Sequence, residues 1–501
     1  MMPVSPATRK AHPWLVVTAT AATLALCYLV WRRLIPLGIP GEWVWPYGPL
    51  PEPRRLIVAV LCCGCAAYLG FGVWRSMRGG KCGAGLVLAA LLGTGLLARV
   101  GIAALTPNWA LESAQVVLSD VATSYYGEAV RLEDVREYVR DYPRLMRSLP
   151  YHLQTHPPGA VLTMWLVRRA TDEFPGATRG VAARLLGPLE PLATSLGQVM
   201  HRPDLTVGDV AGALWVLLFL AAAGWLTSLA VYGIASRLFD EETALLAGVL
   251  CGLVPSVLVF MATIDQLVML LGALALLCVV WAMQRGGGEA LLVPGLVVGV
   301  GALVTFGILT TAGVAALVVV LWRVWWGPPR WWAVVDLLCL AAGTLLPSVA
   351  MYALMGYDPV TVFRLATQAH HEVVTELWKR SYSHWVVGNL VDFGVMLGLP
   401  LSVLALSAAR AKWRGEREDT LTAPAVAVAF GVVLAALDLS GTARAEVARI
   451  WLFLTPVPVV LAGRALAVQG ERRVWAVGLL LGCQALQAIV MGSAGRFLMP
   501  Y

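Results

Sequence analysis

Long apolar segments alternate with short polar loops along almost the whole chain. Most are close to the length of about 20 residues that an α-helix needs to cross a bilayer core of about 30 Å. A transmembrane β-barrel would instead show alternating segments of about ten residues. The pattern predicts membrane-spanning helices at residues 13–32, 56–74, 82–105, 158–170, 207–236, 242–261, 265–283, 290–307, 309–323, 332–353, 386–408, 422–438, 450–466 and 474–492.

The predicted fold class is an all-α polytopic membrane protein with roughly 13–15 transmembrane helices. Composition agrees, because 59% of the 501 residues are hydrophobic and only 13% are charged. A soluble protein of this length would need far more charge to cover its surface. The net charge of +7 comes mostly from arginines in short loops, the usual bias of cytoplasmic loops. Nucleic-acid binding is therefore not predicted.

The basic loops also predict an orientation. Positively charged loops tend to face the cytoplasm, so that side is assigned to residues 75–81, 410–419 and 469–473. The opposite, extracytoplasmic side then receives residues 106–157, 355–385 and 438–449.

Three regions follow from this orientation. Residues 1–105 are predicted as N-terminal transmembrane helices, 106–157 as an extracytoplasmic amphipathic loop, and 158–501 as a transmembrane core with outer loops. The parity of the spans requires one further crossing, and the proline-containing segment 178–200 is the candidate. It either crosses the membrane or re-enters on the same side, which is tolerated where protein buries it.

Polar residues at the predicted outer face are the candidates for chemistry, because ionisable groups at a membrane are costly to keep. The segment "LSDVATSYYGEAVRLEDVREYVRDYPRLMRSLPYH" is predicted to form amphipathic helices on the membrane surface. It carries Asp120 and Glu128. A carboxylate in this place is able to take a proton from an acceptor hydroxyl, although "SD" is also a favoured helix start.

Two further candidates lie where apolar helices begin. "THPPG" places His156 at the lip of the next helix, where proline fits the first helical position. This histidine either contacts substrate or is a structural interfacial residue. "FMATIDQ" places Asp265 between two apolar runs, where it is either a substrate-binding acid or a helix N-cap.

Basic clusters mark the other two outer loops, in "HHEVVTELWKR" and "GTARAEVARIWLFL". Guanidinium groups are the preferred partners of phosphates because they carry a permanent charge and donate paired hydrogen bonds. Two basic clusters on one face indicate either a phosphate clamp above a lipid-filled groove or a solvated rim. Arginines are uncommon in extracytoplasmic loops because of the positive-inside bias, and their presence in these loops favours the clamp. The candidates are His371, Arg380, Arg444, Glu446 and Arg449.

These segments together carry a resemblance to a known family. An amphipathic loop with an early acid, closed by "HPPG", resembles the GT-C superfamily of integral-membrane glycosyltransferases. "PSVLVFMATIDQ" is similar to a proline-then-acid segment of bacterial members, and "GTARAEVARIWLFLTP" resembles a segment of actinobacterial members. The likeness covers roughly residues 100–460. The chain departs from the common pattern because its acid, Asp120, follows the third span and lacks an adjacent second acid.

The resemblance implies transfer of a sugar from a polyprenyl-phosphate carrier to a glycan, lipid or protein acceptor at the extracytoplasmic face of the cell (plasma) membrane. It also implies that Asp120 is the general base on the acceptor hydroxyl. Arginines would stabilise the departing phosphate; the first candidates are Arg449 and Arg380, and Arg444 is the alternative. Residues 13–74 would be an N-terminal addition. A divalent metal ion is possible in such an enzyme, but the single acid does not support one, so no metal ligand is predicted.

Two alternatives of other classes stay open. A transporter or flippase of lipid-linked intermediates would place charged residues at the bilayer midplane, on broken helices in paired halves. Most charges here cluster at one interface, and no paired halves are evident in the sequence. A non-catalytic assembly subunit is the third possibility.

Overall fold

The computed structural model describes residues 13–326, 331–409 and 422–497. The first half contains the helices α1 (Pro13–Trp31), α2 (Pro53–Arg78), α3 (Ala84–Ala104), α4 (Trp109–Leu118), α5 (Tyr125–Arg131), α6 (Val135–Leu145), α7 (Tyr151–Gln154), α8 (Gly159–Asp172), α9 (Pro175–Leu186), α10 (Leu189–Val199), α11 (Val207–Leu238) and α12 (Glu241–Cys251). The second half contains α13 (Pro255–Val259), α14 (Asp265–Gln284), α15 (Leu292–Val304), α16 (Leu309–Trp325), α17 (Trp332–Met355), α18 (Pro359–Glu372), α19 (Tyr382–Leu397), α20 (Leu399–Ala409), α21 (Thr422–Leu439), α22 (Val447–Ile450), α23 (Pro456–Arg472) and α24 (Val474–Ala494). The all-α polytopic fold class is confirmed.

Within the described ranges, eight helices are long and apolar enough to cross a membrane. They are α1, α2, α3, α11, α14, α17, α24 and the helix that begins at Phe306 and includes α16. A ninth span is possible if α19 and α20, which meet at a bend of 110°, act as one broken span. The other predicted spans correspond to helices of 11–18 residues or to broken segments. The predicted basic loop 410–419 lies outside the described residues.

Two predicted segments are broken by their own residues. Residues 242–261 form α12 and α13 instead of one helix, because Pro255 cannot continue the hydrogen-bond ladder and begins a new helix. Segment 178–200 forms α9 and α10, separated by Gly187 at φ +89°. Helices of 12 and 11 residues extend only about 18 Å, which is too short to cross a bilayer core.

The long helices pack closely through glycines. A Cβ at Gly295 or Gly299 of α15 would overlap backbone carbonyls of α17, and one at Gly343 of α17 would overlap a carbonyl of α15. Without a hydrophobic driving force between helices in lipid, such small residues allow backbones to approach and gain van der Waals contact. These glycines therefore fix the α15–α17 pair.

A two-stranded antiparallel hairpin interrupts the helices between α1 and α2, which the all-α prediction did not include. Strand β1 (Leu37–Ile39) pairs with β2 (Trp43–Trp45), with Leu37 opposite Trp45. The Trp45 ring packs against Phe260 and Phe497, with ring centroids 5.5 and 5.4 Å apart. The hairpin is thereby attached to the core, although it precedes that core by more than 200 residues.

The polar segments chosen from the sequence gather at one end of the helices. There Tyr142 donates a hydrogen bond to the His156 carbonyl at 2.9 Å, and a ring nitrogen of His370 lies 2.7 Å from the Thr442 carbonyl. The opposite end carries its own contacts, such as the buried ion pair of Arg323 with Asp336 at 2.6 Å. Which end faces the outside of the cell stays a prediction.

Candidate active site

The centre of the polar end is a tight turn before α22. Ala445 and Glu446 adopt φ of +72° and +60°, a left-handed conformation that is uncommon for residues other than glycine. Hydrogen bonds hold this turn: the Ala445 amide donates to Asn389 at 3.2 Å and the Ala448 amide donates to Asp392 at 3.0 Å. Strain of this kind persists only where the surroundings impose it, and it is frequent at functional sites.

This turn brings four of the predicted site residues, Asp265, Arg380, Glu446 and Arg449, into one cluster of ion pairs, the arginine network. Glu446 accepts from Arg449 Nη2 at 3.2 Å and from Arg380 Nη2 at 3.0 Å, while Arg449 Nε lies 3.8 Å from Asp265 Oδ2. The network therefore contains two guanidinium groups and two carboxylates. The side chains of Arg449 and Asp265 are 20% and 21% exposed, whereas that of Arg380 is 3% exposed. Arg449 is thus the more accessible of the two arginines.

Arg380 is built into the structure. Its guanidinium lies between the rings of Trp43 and Trp378, at 4.7 and 4.0 Å from the centroids. Its Nη1 donates to the Arg444 carbonyl at 2.6 Å, and Arg444 Nη1 donates to the Arg380 carbonyl at 2.7 Å. Burial lowers the pKa of Arg380, and the charge of Glu446 opposes that effect. The geometry suits Arg380 to holding Glu446 in place.

The loop that carries Arg380 is fastened by the N-terminal hairpin. Glu42, between its strands, accepts hydrogen bonds from the Ser381 amide and the Trp385 indole, each at 2.8 Å, and lies 2.7 Å from His384 Nδ1. Although burial would raise the pKa of Glu42, these hydrogen bonds lower it to about 2. A residue predicted to belong to an N-terminal addition therefore supports the arginine network.

Asp265 is the first residue of α14, and the structure does not use it as an N-cap. The capping position is Ile264, which has no side-chain cap. The next residue, Gln266, donates from Nε2 to the carbonyls of Val257 and Phe260 at 3.1 Å each. These bonds tie the start of α14 to the short helix α13, and they leave the Asp265 carboxylate directed toward Arg449.

Two histidines and a tyrosine lie beside this network. His156 Nδ1 is 2.9 Å from the His152 carbonyl, which can only accept, so Nδ1 carries the proton and Nε2 is left as an acceptor. Burial lowers the pKa of His156 to about 4, helped by the charges of His370 and Arg449. Burial and Arg449 likewise lower the pKa of His152 to about 3. Both rings are therefore neutral at neutral pH. The Tyr125 ring packs edge-on against His156 at 5.8 Å.

Asp120 lies in the adjoining turn and does not cap a helix, since the N-cap position of α5 is Ser124, which has no side-chain cap. Ser119 Oγ accepts from the amides of Val121 and Ala122. The Asp120 carboxylate is 34% exposed and lies 3.4 Å from Arg131 Nη2. A Cβ at Gly127 would overlap its Oδ1, so only glycine allows this position.

Asp120 is not in the arginine network itself, but His152 connects the two places. The His152 imidazole hydrogen-bonds the backbone of Val121, directly after Asp120, and it lies within the field of Arg449. Glu128 lies near Asp120 and Arg131. Burial raises the pKa of Glu128, the charge of Arg131 lowers it, and the charge of Asp120 raises it.

The remaining sequence candidates lie around this centre. His371 is on the exposed face of α18, and its backbone carbonyl accepts from Thr375. The Arg444 guanidinium lies over the Tyr382 ring at 5.7 Å and donates to the Gly441 carbonyl. Sequence reasoning did not select Tyr125, His152, Glu42 or Trp43. The first two lie in the quoted amphipathic segment, whereas nothing in the sequence links the hairpin to residue 380.

Metal binding has no visible basis in the part of the chain that the structure describes. No group of three or more His, Cys, Asp or Glu side chains there is arranged to hold a metal ion. The nine cysteines are free thiols, and most lie in helices.

The comparison with protein families agrees with the sequence resemblance. The dolichyl-phosphate-mannose-protein mannosyltransferase family matches residues 205–350, less than a third of the chain. Of the predicted site residues, Asp265 lies in this range. A crystal structure of the Archaeoglobus fulgidus oligosaccharyltransferase, in complex with Zn and sulfate, superposes with a TM-score of 0.39 at 15% identity. That superposition covers 61% of this chain and 44% of the other. No curated protein matches the chain.

The family match covers α11 to α16 and most of α17, in the middle of the chain. It supports a glycosyltransferase in a multi-pass membrane protein. The chain is thus an all-α polytopic membrane protein that resembles the GT-C superfamily of integral-membrane glycosyltransferases, with its segment 205–350 similar to the dolichyl-phosphate-mannose-protein mannosyltransferases.

Proposed function

We propose that the chain is a membrane glycosyltransferase that moves a sugar from a polyprenyl-phosphate donor to an acceptor hydroxyl. The reaction takes place at the end of the helices that carries Asp120, Asp265 and Arg449, and we assign that end to the extracytoplasmic face of the cell membrane. The observation that carries the proposal is Arg449: a partly exposed guanidinium, held by two carboxylates at the mouth of a membrane bundle.

Arg449 is the proposed contact to the donor phosphate. Its Nη2 donates to Glu446, and its Nε, 3.8 Å from Asp265, is buried without a hydrogen-bond partner among the described residues, while the side chain as a whole is 20% exposed. A guanidinium with donors to spare is suited to bind a phosphate oxygen. When the sugar–phosphate bond breaks, negative charge grows on the leaving phosphate, and a fixed cation stabilises it. Arg380 and Glu446 act as positioning residues that hold this cation.

Asp120 is the proposed general base. The acceptor oxygen attacks the anomeric carbon of the sugar, the bond from that carbon to the phosphate oxygen breaks, and polyprenyl phosphate leaves with the bonding electrons. The acceptor proton passes to the Asp120 carboxylate, which is one-third exposed and therefore accessible to a hydroxyl. Neutral His156, with Nε2 as an acceptor, is suited to orient a sugar or acceptor hydroxyl nearby.

The test is sugar transfer in membranes that contain the full-length chain. Labelled polyprenyl-phosphate sugars are supplied as a panel, and the label is followed into acceptor glycans, lipids and proteins. We expect transfer with the wild-type chain and none with Asp120→Asn, which keeps the shape of the side chain but cannot accept the proton. Asp265→Asn, which removes an acid beside Arg449, serves as the comparison and should weaken donor binding instead. Full transfer by Asp120→Asn would remove Asp120 from the mechanism.

The same experiment separates the transporter alternative. A flippase would move the labelled donor across the bilayer without transferring its sugar. Label that crosses the membrane intact, with no labelled product, would contradict the transferase proposal.

A further inference from the structure

A cavity of about 240 Å³ is lined by residues other than the four of the arginine network. Leu258 and Val259 of α13, and Met261 just after it, form one wall. Its other walls come from the loop before α2, the end of α3, the start of α4 and the end of α24. Nothing in the proposed transfer mechanism uses this cavity.

The lining of the cavity combines apolar side chains with a few buried hydroxyl groups. Ser493 is 5% exposed, and its Oγ has no hydrogen-bond partner among the described residues. A buried hydroxyl without a partner costs free energy, so it indicates a group that is supplied from elsewhere. Ser113 lies equally deep, and the Trp109 indole forms part of the wall. An aromatic ring beside a few fixed polar groups is a usual lining of a small-molecule site.

The rim of the cavity is charged but balanced. Glu52 and Glu112 supply two carboxylates, and Arg55 and Arg496 supply two guanidinium groups. The Arg55 Nη1 lies 3.4 Å from the carbonyls of Ala104 and Thr106, while its Nε has no partner in the described structure. Such a rim offers both donors and acceptors with no net charge. Because it has no net attraction for an anion, it favours an uncharged, hydroxyl-rich ligand over a phosphate.

The volume of the cavity limits the size of the ligand. A cavity of 240 Å³ has the capacity of about eight water molecules. This suits one sugar ring and is too small and too polar for a prenyl chain. We propose that the cavity is a binding site for a neutral saccharide, separate from the arginine network. The assignment rests on the proposed function in one respect: the saccharide is part of the acceptor, held away from its reacting hydroxyl.

The experiment measures saccharide binding to the full-length chain in lipid nanodiscs, with no donor present. Saturation-transfer NMR is run with a panel of neutral methyl glycosides and disaccharides of hexoses and pentoses, with inorganic phosphate and a uronic acid as charged probes. We expect at least one neutral saccharide to bind in preference to both charged probes. Failure of every neutral saccharide to bind, or preferential binding of phosphate, would overturn the assignment.

Variants locate the binding. Ser493→Ala removes the unpartnered hydroxyl and should weaken binding by about tenfold, the usual effect of one lost hydrogen bond. Glu112→Gln changes an exposed residue at the rim of the same cavity and leaves the buried residues unaltered. It should also weaken saccharide binding. Ser228→Ala, at a buried serine of α11 that does not line the cavity, should leave binding unchanged. If Ser493→Ala and Glu112→Gln both bind the saccharide as tightly as the wild-type chain, the saccharide binds elsewhere.

The outcome is independent of the transfer reaction. Arg449→Lys should keep saccharide binding, because Arg449 does not line the cavity. If the chain binds saccharide but transfers no sugar, the proposed function fails and the binding site stands. If it transfers sugar and Ser493→Ala has no effect on saccharide binding, the site fails and the transferase stands.

Discussion

Replacement of Arg449 by lysine tests the phosphate contact directly. Lysine keeps the positive charge between Glu446 and Asp265, so the acids remain compensated and the fold should survive. It loses the planar, forked set of donors, of which Nη2 is used by Glu446 and Nε lies 3.8 Å from Asp265. A lysine that pairs with the acids has fewer fixed donors for a phosphate oxygen.

The expected loss follows from one charge-assisted hydrogen bond. Such a bond contributes about 1.5–3 kcal/mol, which corresponds to a donor affinity about 10- to 140-fold weaker. Binding of a radiolabelled polyprenyl-phosphate sugar to the full-length chain in nanodiscs measures it. Polyprenyl phosphate without the sugar should lose affinity by the same factor, because the lost contact is to the phosphate.

The control is Arg464→Lys. Arg464 also forms an inter-helix pair with an acid, since its Nη1 lies 2.6 Å from Asp240, but it does so at the opposite end of the helices. Donor affinity should be unchanged in this variant. The reasoning is refuted if Arg449→Lys binds donor as tightly as wild type, or if Arg464→Lys loses as much.

Three further predictions concern the surroundings of the network. Gly127→Ala should displace the Asp120 carboxylate, because the added Cβ would overlap Oδ1. Turnover should fall while donor affinity is retained. Unchanged turnover would show that catalysis does not need the Asp120 carboxylate in its present position. The pKa values of His152 and His156 are lowered to about 3 and 4 from 6.5, so the unfolded chain binds more protons between these values. The melting temperature should therefore fall as the pH is lowered from about 6.5 to 4, and less so in His156→Gln; an identical pH profile in that variant would contradict it. Glu42→Gln weakens three hydrogen bonds to Ser381 and to the first turn of α19. Hydrogen exchange of this segment should increase, and exchange at the wild-type rate would show that the hairpin does not hold it.

The membrane fold could be predicted from the sequence because the bilayer imposes a simple rule on length and polarity. The eight long helices confirmed by the structure, such as α2, α14 and α24, are the segments in which that rule acts alone. The rule is less informative where helices are buried by protein on all sides. The segment 242–261 is apolar from residue 244 onward apart from one serine, yet it forms the short helices α12 and α13 in the core. Hydropathy cannot distinguish such buried pieces from spans.

The chemistry of the candidate site was visible in the sequence, but its pairing was not. Asp265, Glu446 and Arg449 were selected because charges at helix starts are costly and must have partners. That Asp265 would lie beside Arg449 depends on how α14 and α22 pack, which no local pattern records. Arg380 was predicted as a direct phosphate contact, and the positioning role given to it above is a proposal that rests on its burial between Trp43 and Trp378. That burial could not be predicted, because the two rings lie more than 300 positions apart in the sequence.

The attachment of the hairpin to the loop after Arg380 also constrains how the protein is made. Glu42 leaves the ribosome about 340 residues before Ser381 and Trp385, a delay of roughly 20–70 s at 5–20 residues per second. Throughout that interval its carboxylate lacks these partners while most of the bundle is still being inserted. Assembly of the arginine network is therefore among the last steps of biogenesis, and a chain truncated before residue 381 has no means of completing it.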